Sequence, residues 1–166
     1  MFTSAAYTQS EYIYILGNTQ DAGMPHIGCK HKFCLDNFTK YEEYYVTSIA
    51  VVNQEKKKYI LFEATPDITH QLNYLKDNVF QEFLLPEAIY ITHAHIGHYT
   101  GLMYFGREAL GSKNLLVKVL PKMSNFLKTN GPWSQLVTLN NIQIQNTKFE
   151  VSNSELSNID VTPVQV

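Results

Sequence analysis

Three histidines, His93, His95 and His98, lie close together directly after the apolar run 87–92. Neutral imidazole nitrogens are ligands of Zn, Fe, Ni and Cu, and catalytic zinc usually has three protein ligands and one open position. In an extended segment His93 and His95 project to the same side, and His98 reaches the same point once the chain turns. The alternative is a group of polar loop histidines that binds no metal. The spacing favours a metal site at the end of a strand.

A second group of candidate ligands is formed by Cys29, His31 and Cys34. Thiolate and imidazole ligands at such short spacing can surround one tetrahedral zinc, and closed sites of this kind are structural. His26 is a candidate fourth ligand. The alternatives are two reduced free cysteines or a disulfide. A structural zinc would also order the long segment 18–41, which has little hydrophobic periodicity.

Composition predicts one globular, soluble domain that spans residues 1–166, with 45% hydrophobic residues, 17% charged residues and a net charge of −2. No basic run is longer than the triplet at 56–58, so we expect no nucleic-acid partner. No stretch approaches the ~20 apolar residues of a membrane span. The first residues lack the pattern of a signal peptide. We therefore expect a cytoplasmic protein, or a periplasmic or exported one if a leader was trimmed.

Strands and helices alternate along most of the chain, which predicts an α/β domain. Runs of β-branched and aromatic residues predict strands at 12–16, 47–52, 59–62, 88–92 and 115–120. Apolar residues at helical spacing predict helices at 68–75, 101–110 and 123–127. After Trp133, alternating apolar and polar residues predict short antiparallel strands at 136–139, 142–144 and 148–151, and a last strand at 159–166.

The segment 92–102, Thr-His-Ala-His-Ile-Gly-His-Tyr-Thr-Gly-Leu, resembles the Thr-His-x-His-x-Asp-His-x-x-Gly-Leu motif of the metallo-β-lactamase superfamily. The opening segment 15–34 is similar to one branch, which holds the pyrroloquinoline-quinone biosynthesis protein B family and the cyclic phosphodiesterases of phosphonate breakdown. The resemblance implies an α/β fold (α+β in some schemes), a four-layer αββα sandwich with metals between two β-sheets.

The resemblance assigns the histidines one by one. It implies that His93 and His95 bind a first metal and that His98 binds a second. Gly97 stands where the superfamily has an aspartate, which ligates the second metal and helps to handle the attacking water. Glycine has no side chain for either task. The resemblance to the motif therefore leaves a two-metal centre without one of its carboxylates.

Two loop carboxylates are candidate replacements for this aspartate, Asp21 and Asp67. The alternative roles are a turn residue for Asp21 and a helix N-cap for Asp67. Glu63 stands where superfamily members commonly have an aspartate after the paired strand, and we expect it to support a metal ligand. Tyr99 and Tyr104 are close to the histidines in the chain, and we expect core packing for them rather than a substrate pocket.

The resemblance also covers the cysteine segment and the cofactors. Residues 29–34 are similar to the Cys-x-Cys-x-x-Cys structural-zinc loop of the branch, with His31 in place of the middle cysteine. The implied cofactors are one structural zinc and one or two ions at the histidine cluster, with iron or manganese as alternatives to zinc. In the superfamily, further ligands come from later in the chain, but this sequence has no histidine after His98.

We therefore expect residues 1–166 to be the N-terminal half of a longer domain, inactive when alone. Strand edges that the other half would cover predict a homodimer or a domain swap. The predicted function is a metal-dependent hydrolase of a small-molecule ester, phosphoester or lactone. The alternative is a degenerate, non-hydrolytic relative that binds a small molecule or a partner, or serves quinone-cofactor biosynthesis. Gly97 favours the alternative, and the three histidines favour the hydrolase.

Overall fold

The computed structural model describes residues 11–38, 44–156 and 159–165. The end of the segment 18–41 and residue 166 of the predicted last strand lie outside these ranges. The described strands are β1 (Glu11–Gly17), β2 (Ser48–Asn53), β3 (Lys58–Phe62), β4 (Ala88–Tyr90), β5 (Leu115–Val119), β6 (Ile142–Asn146), β7 (Asn153–Glu155) and β8 (Ile159–Val161).

The described helices are α1 (Lys32–Asn37), α2 (Ile68–Leu75), α3 (Ile96–Tyr99), α4 (Pro121–Thr129) and α5 (Trp133–Thr138). One π-helical turn, Lys76–Phe80, continues α2, and one 3-10 turn, Thr100–Phe105, continues α3. Within the described part of the chain, no helix is both long enough and apolar enough to cross a membrane.

The first six strands form one mixed sheet in the order β1-β2-β3-β4-β5-β6. β2 is antiparallel to both β1 and β3, whereas β3, β4, β5 and β6 are parallel to one another. β1, β3 and β4 therefore run in the same direction, and their carboxyl ends lie at the same edge of the sheet. Loops at such an edge are where open α/β sheets usually bind ligands.

Different elements pack against the two faces of the sheet. Leu61, Ile89 and Val117 are fully buried in the large core that the helices form with one face. Each such side chain contributes about 1.5–3 kcal/mol through burial. Ile60 and Ala88, which alternate with these residues along β3 and β4, face the opposite side, where the antiparallel pair β7–β8 packs.

The structure confirms the five strands predicted before residue 121 and corrects the prediction for the residues that follow. The run 136–139 is not a strand, because it overlaps α5 and Leu136 is buried in the helical core. The segment 142–144 is a strand, but β6 pairs parallel to β5 rather than antiparallel. Parallel neighbours need a crossover connection, and α4 and α5 form it. The run 148–151 is also not a strand, since the next strand begins at Asn153.

The helix predicted at 101–110 begins earlier and ends earlier than its pattern indicates. α3 starts at Ile96, directly after His95, and the 3-10 turn ends at Phe105. Gly101 packs against the chain that leaves β3, and its N–H donates to the Ala64 carbonyl at 2.9 Å. The Ala64 N–H donates in turn to the His98 carbonyl at 2.8 Å. These contacts fix the histidine segment on the end of β3.

Candidate metal centre

The three histidines lie at the junction of β4 and α3. The backbone of His95 is extended (φ −84°, ψ 144°), and α3 begins at the next residue. The chain then turns, and the His98 N–H donates to the His95 carbonyl at 2.9 Å. The centroid of the His93 ring lies 4.5 Å from that of His95 and 4.1 Å from that of His98. The structure thus brings the three imidazoles together, and their metal binding stays a prediction.

A carboxylate from a distant part of the chain reaches the same cluster. Asp21 follows β1, and its Oδ1 lies 2.7 Å from His98 Nε2 while its Oδ2 lies 3.0 Å from His95 Nδ1. Donor atoms of Asp21, His93 and His98 all lie within 4.8 Å of one another. Among the described residues, this is the only such group of three or more histidine, cysteine, aspartate or glutamate side chains.

Glu63 and Thr92 form a chain of hydrogen bonds that orients the His93 ring. Glu63 is buried, and its carboxylate accepts a hydrogen bond from the Thr92 hydroxyl at 2.5 Å. Because this hydroxyl donates to Glu63, its oxygen accepts the proton of His93 Nδ1, which lies 2.8 Å away. His93 Nε2 is then an acceptor directed at the cluster, where it lies 3.0 Å from His95 Nδ1. A carboxylate that orients a histidine in this way is typical of metal sites.

His98 lies between two carboxylates. Its Nδ1 is buried and lies 3.5 Å from Glu63 Oε1, which is too long for an ordinary hydrogen bond. Its Nε2 faces Asp21 at 2.7 Å. The shorter contact shows that the nitrogen facing the cluster is Nε2. We therefore assign Glu63 the supporting contact and Asp21 the contact inside the cluster.

The charges of the cluster shift the pKa values of its members. The contact with the Glu63 carboxylate raises the pKa of His98 despite its burial, and Asp21 adds to this effect. Burial, together with the charges of His98 and His95, lowers the pKa of His93. Burial opposes the ionisation of Asp21, but the hydrogen bond and charge of His98 outweigh it and lower the pKa of this carboxyl. An ionised Asp21 and a neutral His93 are the forms that bind metals, whereas a metal at His98 would have to displace the proton that the two carboxylates favour there.

The cysteine segment of the predicted zinc site is in its oxidised form. Cys29 and Cys34 form a disulfide, the alternative that the sequence left open. A disulfide offers no thiolate, so in this oxidised form the two cysteines cannot bind zinc. His31 is exposed at the start of α1, and His26 has a buried Nδ1 without a hydrogen-bond partner among the described residues. Zinc binding by Cys29, His31 and Cys34 stays a prediction for the reduced chain.

The other candidate residues lie outside the cluster or pack in the core. Asp67 is buried, and its Oδ2 accepts a hydrogen bond from the Val46 N–H at 2.8 Å, so it anchors a loop. Tyr99 is buried against Trp133, with ring centroids 4.9 Å apart. Core packing is therefore confirmed for Tyr99. Tyr104 is half exposed and lines a groove between α2 and the segment after the 3-10 turn.

A mixed sheet with helices on one face, a strand pair on the other and a histidine cluster at its carboxyl edge defines the class of this protein. The chain has the metallo-β-lactamase fold, of the type found in PqqB and in the PhnP family. The predicted α/β fold class is thereby confirmed. No protein-family model matches the sequence. No curated protein matches it either.

The solved structures that resemble this chain include the following three. Zn²⁺-bound PqqB from Methylobacterium extorquens is 18% identical with a TM-score of 0.74, and the match covers 93% of this chain and 55% of PqqB. A diphosphatase from the PhnP family is 20% identical with a TM-score of 0.62, covering 88% of this chain and 53% of the other. YhfI from Bacillus subtilis, a metallo-β-lactamase fold protein, is 12% identical with a TM-score of 0.53, covering 88% and 49%. The chain therefore spans about half the length of these proteins, and the likeness shows a shared fold.

Proposed function

We propose that this protein is a metal-dependent hydrolase whose small-molecule substrate is an ester, a phosphoester or a lactone. The observation that carries the proposal is the convergence of donor atoms of Asp21, His93 and His98 within 4.8 Å of one another at the carboxyl edge of the sheet, with the His95 ring beside them. The fold supports it, because solved proteins of this fold include a Zn²⁺-bound protein and a diphosphatase.

The donor atoms fit a transition metal. Imidazole nitrogens suit zinc and iron, and a carboxylate oxygen also suits manganese. His93, His95 and His98 would hold the ion. The contacts of Thr92 and Glu63 leave His93 Nε2 without a proton, and a bound ion would replace its 3.0 Å contact with His95 Nδ1. When bound, such an ion lowers the pKa of water and polarises a carbonyl or phosphoryl oxygen. We propose zinc, with iron or manganese as alternatives.

Gly97 supports a second candidate function, a non-hydrolytic relative that binds a small molecule or serves quinone-cofactor biosynthesis. The superfamily aspartate that glycine replaces helps to handle the attacking water, and the likeness to PqqB agrees with this alternative. The two candidates share the metal site and differ in turnover. Metal binding therefore tests the site, and hydrolysis separates the two functions.

The test measures metal content by mass spectrometry and Zn²⁺ affinity by calorimetry. We expect the oxidised chain to bind about one ion per chain, since its cysteines are paired and a mononuclear site needs only three protein ligands. His93→Ala should abolish binding. His70→Ala is the matched control, because His70 is an exposed histidine that stacks on Tyr45 outside the cluster.

Two outcomes would contradict the proposal at different levels. A chain without affinity for Zn²⁺, Fe²⁺ or Mn²⁺, or a His93→Ala variant with undiminished affinity, would exclude the histidine cluster as a metal site. Metal binding without turnover of ester, phosphodiester and lactone substrates by the longest natural form of the protein would favour the non-hydrolytic alternative.

A further inference from the structure

We propose that Asp21 is the carboxylate ligand of the metal site and that Gly97 provides the space in which Asp21 lies. The inference rests on the proposed function, because it assumes that the histidines bind a metal. It assigns the carboxylate that the histidine motif lacks to the loop after β1. Asp21, His93 and His98, whose donor atoms lie within 4.8 Å of one another, would then form the centre of a one-metal site, with His95 Nδ1 3.0 Å from Asp21.

The packing around Gly97 supports this assignment. A Cβ at position 97 would lie 2.6 Å from Asp21 Cα, 2.8 Å from the Asp21 carbonyl oxygen and 2.9 Å from Asp21 Cβ. These distances are far below van der Waals contact, and two of the three atoms are backbone. Any side chain at position 97 would therefore displace the loop that carries Asp21.

The backbone of Gly97 does not itself require glycine. Gly97 lies inside α3, and its φ is not in the left-handed region. Glycine has a lower helix propensity than alanine, so α3 gains no stability from a glycine at its second position. The close approach of Asp21 is a packing reason for this glycine.

The contacts of Asp21 differ from those of an ordinary turn residue. The turn is closed by Gln20, whose carbonyl accepts from the Gly23 N–H at 2.8 Å and whose side-chain oxygen accepts from the Ala22 N–H at 3.0 Å. The carboxylate of Asp21 instead points its two oxygens at two imidazoles, 2.7 Å from His98 and 3.0 Å from His95. Gln20 thus forms the hydrogen bonds of the turn, and the carboxylate of Asp21 contacts the histidine cluster.

The loop is also held at the edge of the sheet. Thr19 bridges to Val46 in a parallel pairing, and its carbonyl accepts from the Thr47 N–H at 3.0 Å. Together with the turn at Gly23, this pairing fixes the position from which Asp21 enters the cluster. A fixed loop presents a ligand without the entropy loss that ordering a free loop would require.

The experiment titrates this chain with Co²⁺ and Zn²⁺. Asp21→Asn keeps the size of the side chain but removes the charged ligand, and we expect the affinity to fall by at least about 100-fold, the upper end of the effect of losing a mere supporting contact. The visible absorption of bound Co²⁺ should also change, which a structural role alone would not cause. Asp36→Asn is the matched control, because Asp36 is an exposed aspartate paired with Lys32 outside the cluster.

Gly97→Ala tests the second half of the proposal. We expect it to weaken Co²⁺ binding by displacing Asp21, and to have little further effect when Asp21 is already asparagine. Such non-additivity is typical of residues that act on the same interaction. Because the Asp21 side chain is partly exposed, we expect Asp21→Asn and a second variant, Asp21→Ala, to melt near the wild-type temperature without metal.

The outcomes separate this inference from the proposed function. A wild-type chain that binds neither ion contradicts the metal site itself. If the wild-type chain binds Co²⁺ and both Asp21→Asn and Asp21→Ala bind it with wild-type affinity and wild-type absorption, the role of Asp21 is overturned but the metal site is not. Loss of affinity in Asp21→Asn with full affinity in Gly97→Ala overturns the role of Gly97.

Discussion

Gly101→Ala should destabilise the protein strongly, because position 101 has no room for a methyl group. A Cβ there would lie 2.1 Å from the Thr65 carbonyl oxygen and 2.9 Å from the Ala64 carbonyl carbon and oxygen. Contact at a normal distance needs a separation of roughly 1 Å or more between the two backbones. This movement breaks the 2.9 Å hydrogen bond from Gly101 to Ala64 and strains the 2.8 Å bond from Ala64 to His98.

The expected loss of stability follows from these contacts. Overpacking costs about 1–3 kcal/mol, and each weakened hydrogen bond costs about 1 kcal/mol, so the free energy of unfolding should fall by roughly 3–5 kcal/mol. For a chain of this size, that loss lowers Tm by roughly 6–20 °C. Urea unfolding followed by circular dichroism measures the free energy, and thermal unfolding measures Tm.

Gly111→Ala is the control for this prediction. Its Cβ would have no neighbour within 4 Å, but its φ of +64° is unfavourable for alanine. We expect a loss of about 1–2 kcal/mol from backbone strain alone. If Gly101→Ala lost no more stability than Gly111→Ala, the close packing of the histidine segment on the end of β3 would be refuted.

Two further predictions concern the frame around the site and the edge of the sheet. Gln71→Leu should lower the free energy of unfolding by about 2–4 kcal/mol, because it removes the side-chain amide that contacts two buried groups. These groups are the Val46 carbonyl and the Thr65 hydroxyl, each 2.8 Å from the amide. Urea unfolding measures the loss, and an unchanged urea midpoint would contradict the prediction. In the described part of the chain β1 is an edge strand, and its Ile13 and Ile15 are 68% and 72% exposed. Light scattering should therefore show dimers at high protein concentration, and Ile15→Lys should dissociate them. A wild-type protein that stays monomeric at high concentration would exclude self-association.

The strands before residue 121 could be predicted because their signal is local. β-branched and aromatic residues in short runs, interrupted by turn residues, mark β1 to β5 without knowledge of the rest of the fold. The run Leu-Val-Thr-Leu at 136–139 carries the same composition but belongs mainly to α5. Its helical state depends on the parallel pairing of β5 with β6, which requires a crossover, and no pattern within the run reports that pairing.

The candidate site shows the same division between local and distant information. His93, His95 and His98 are separated by so few residues that an extended segment followed by a turn must bring them together. Asp21 contacts His98 across 77 positions, and only the strand order brings the loop after β1 to the loop after β4. The sequence could therefore name Asp21 and Asp67 as candidates, but the order of strands in the sheet was needed to choose between them.

Gly97 has opposite meanings in the sequence and in the structure. In the motif, glycine at this position means the loss of a ligand, which favours an inactive relative. In the fold, the backbone of Asp21 lies where a side chain at position 97 would begin, and the carboxylate of Asp21 contacts the histidines. Under our proposal the ligand has moved to another loop, so the glycine accompanies a metal site rather than its loss. It follows that absence of the aspartate at position 97 is no argument against metal binding until Asp21 has been removed as well.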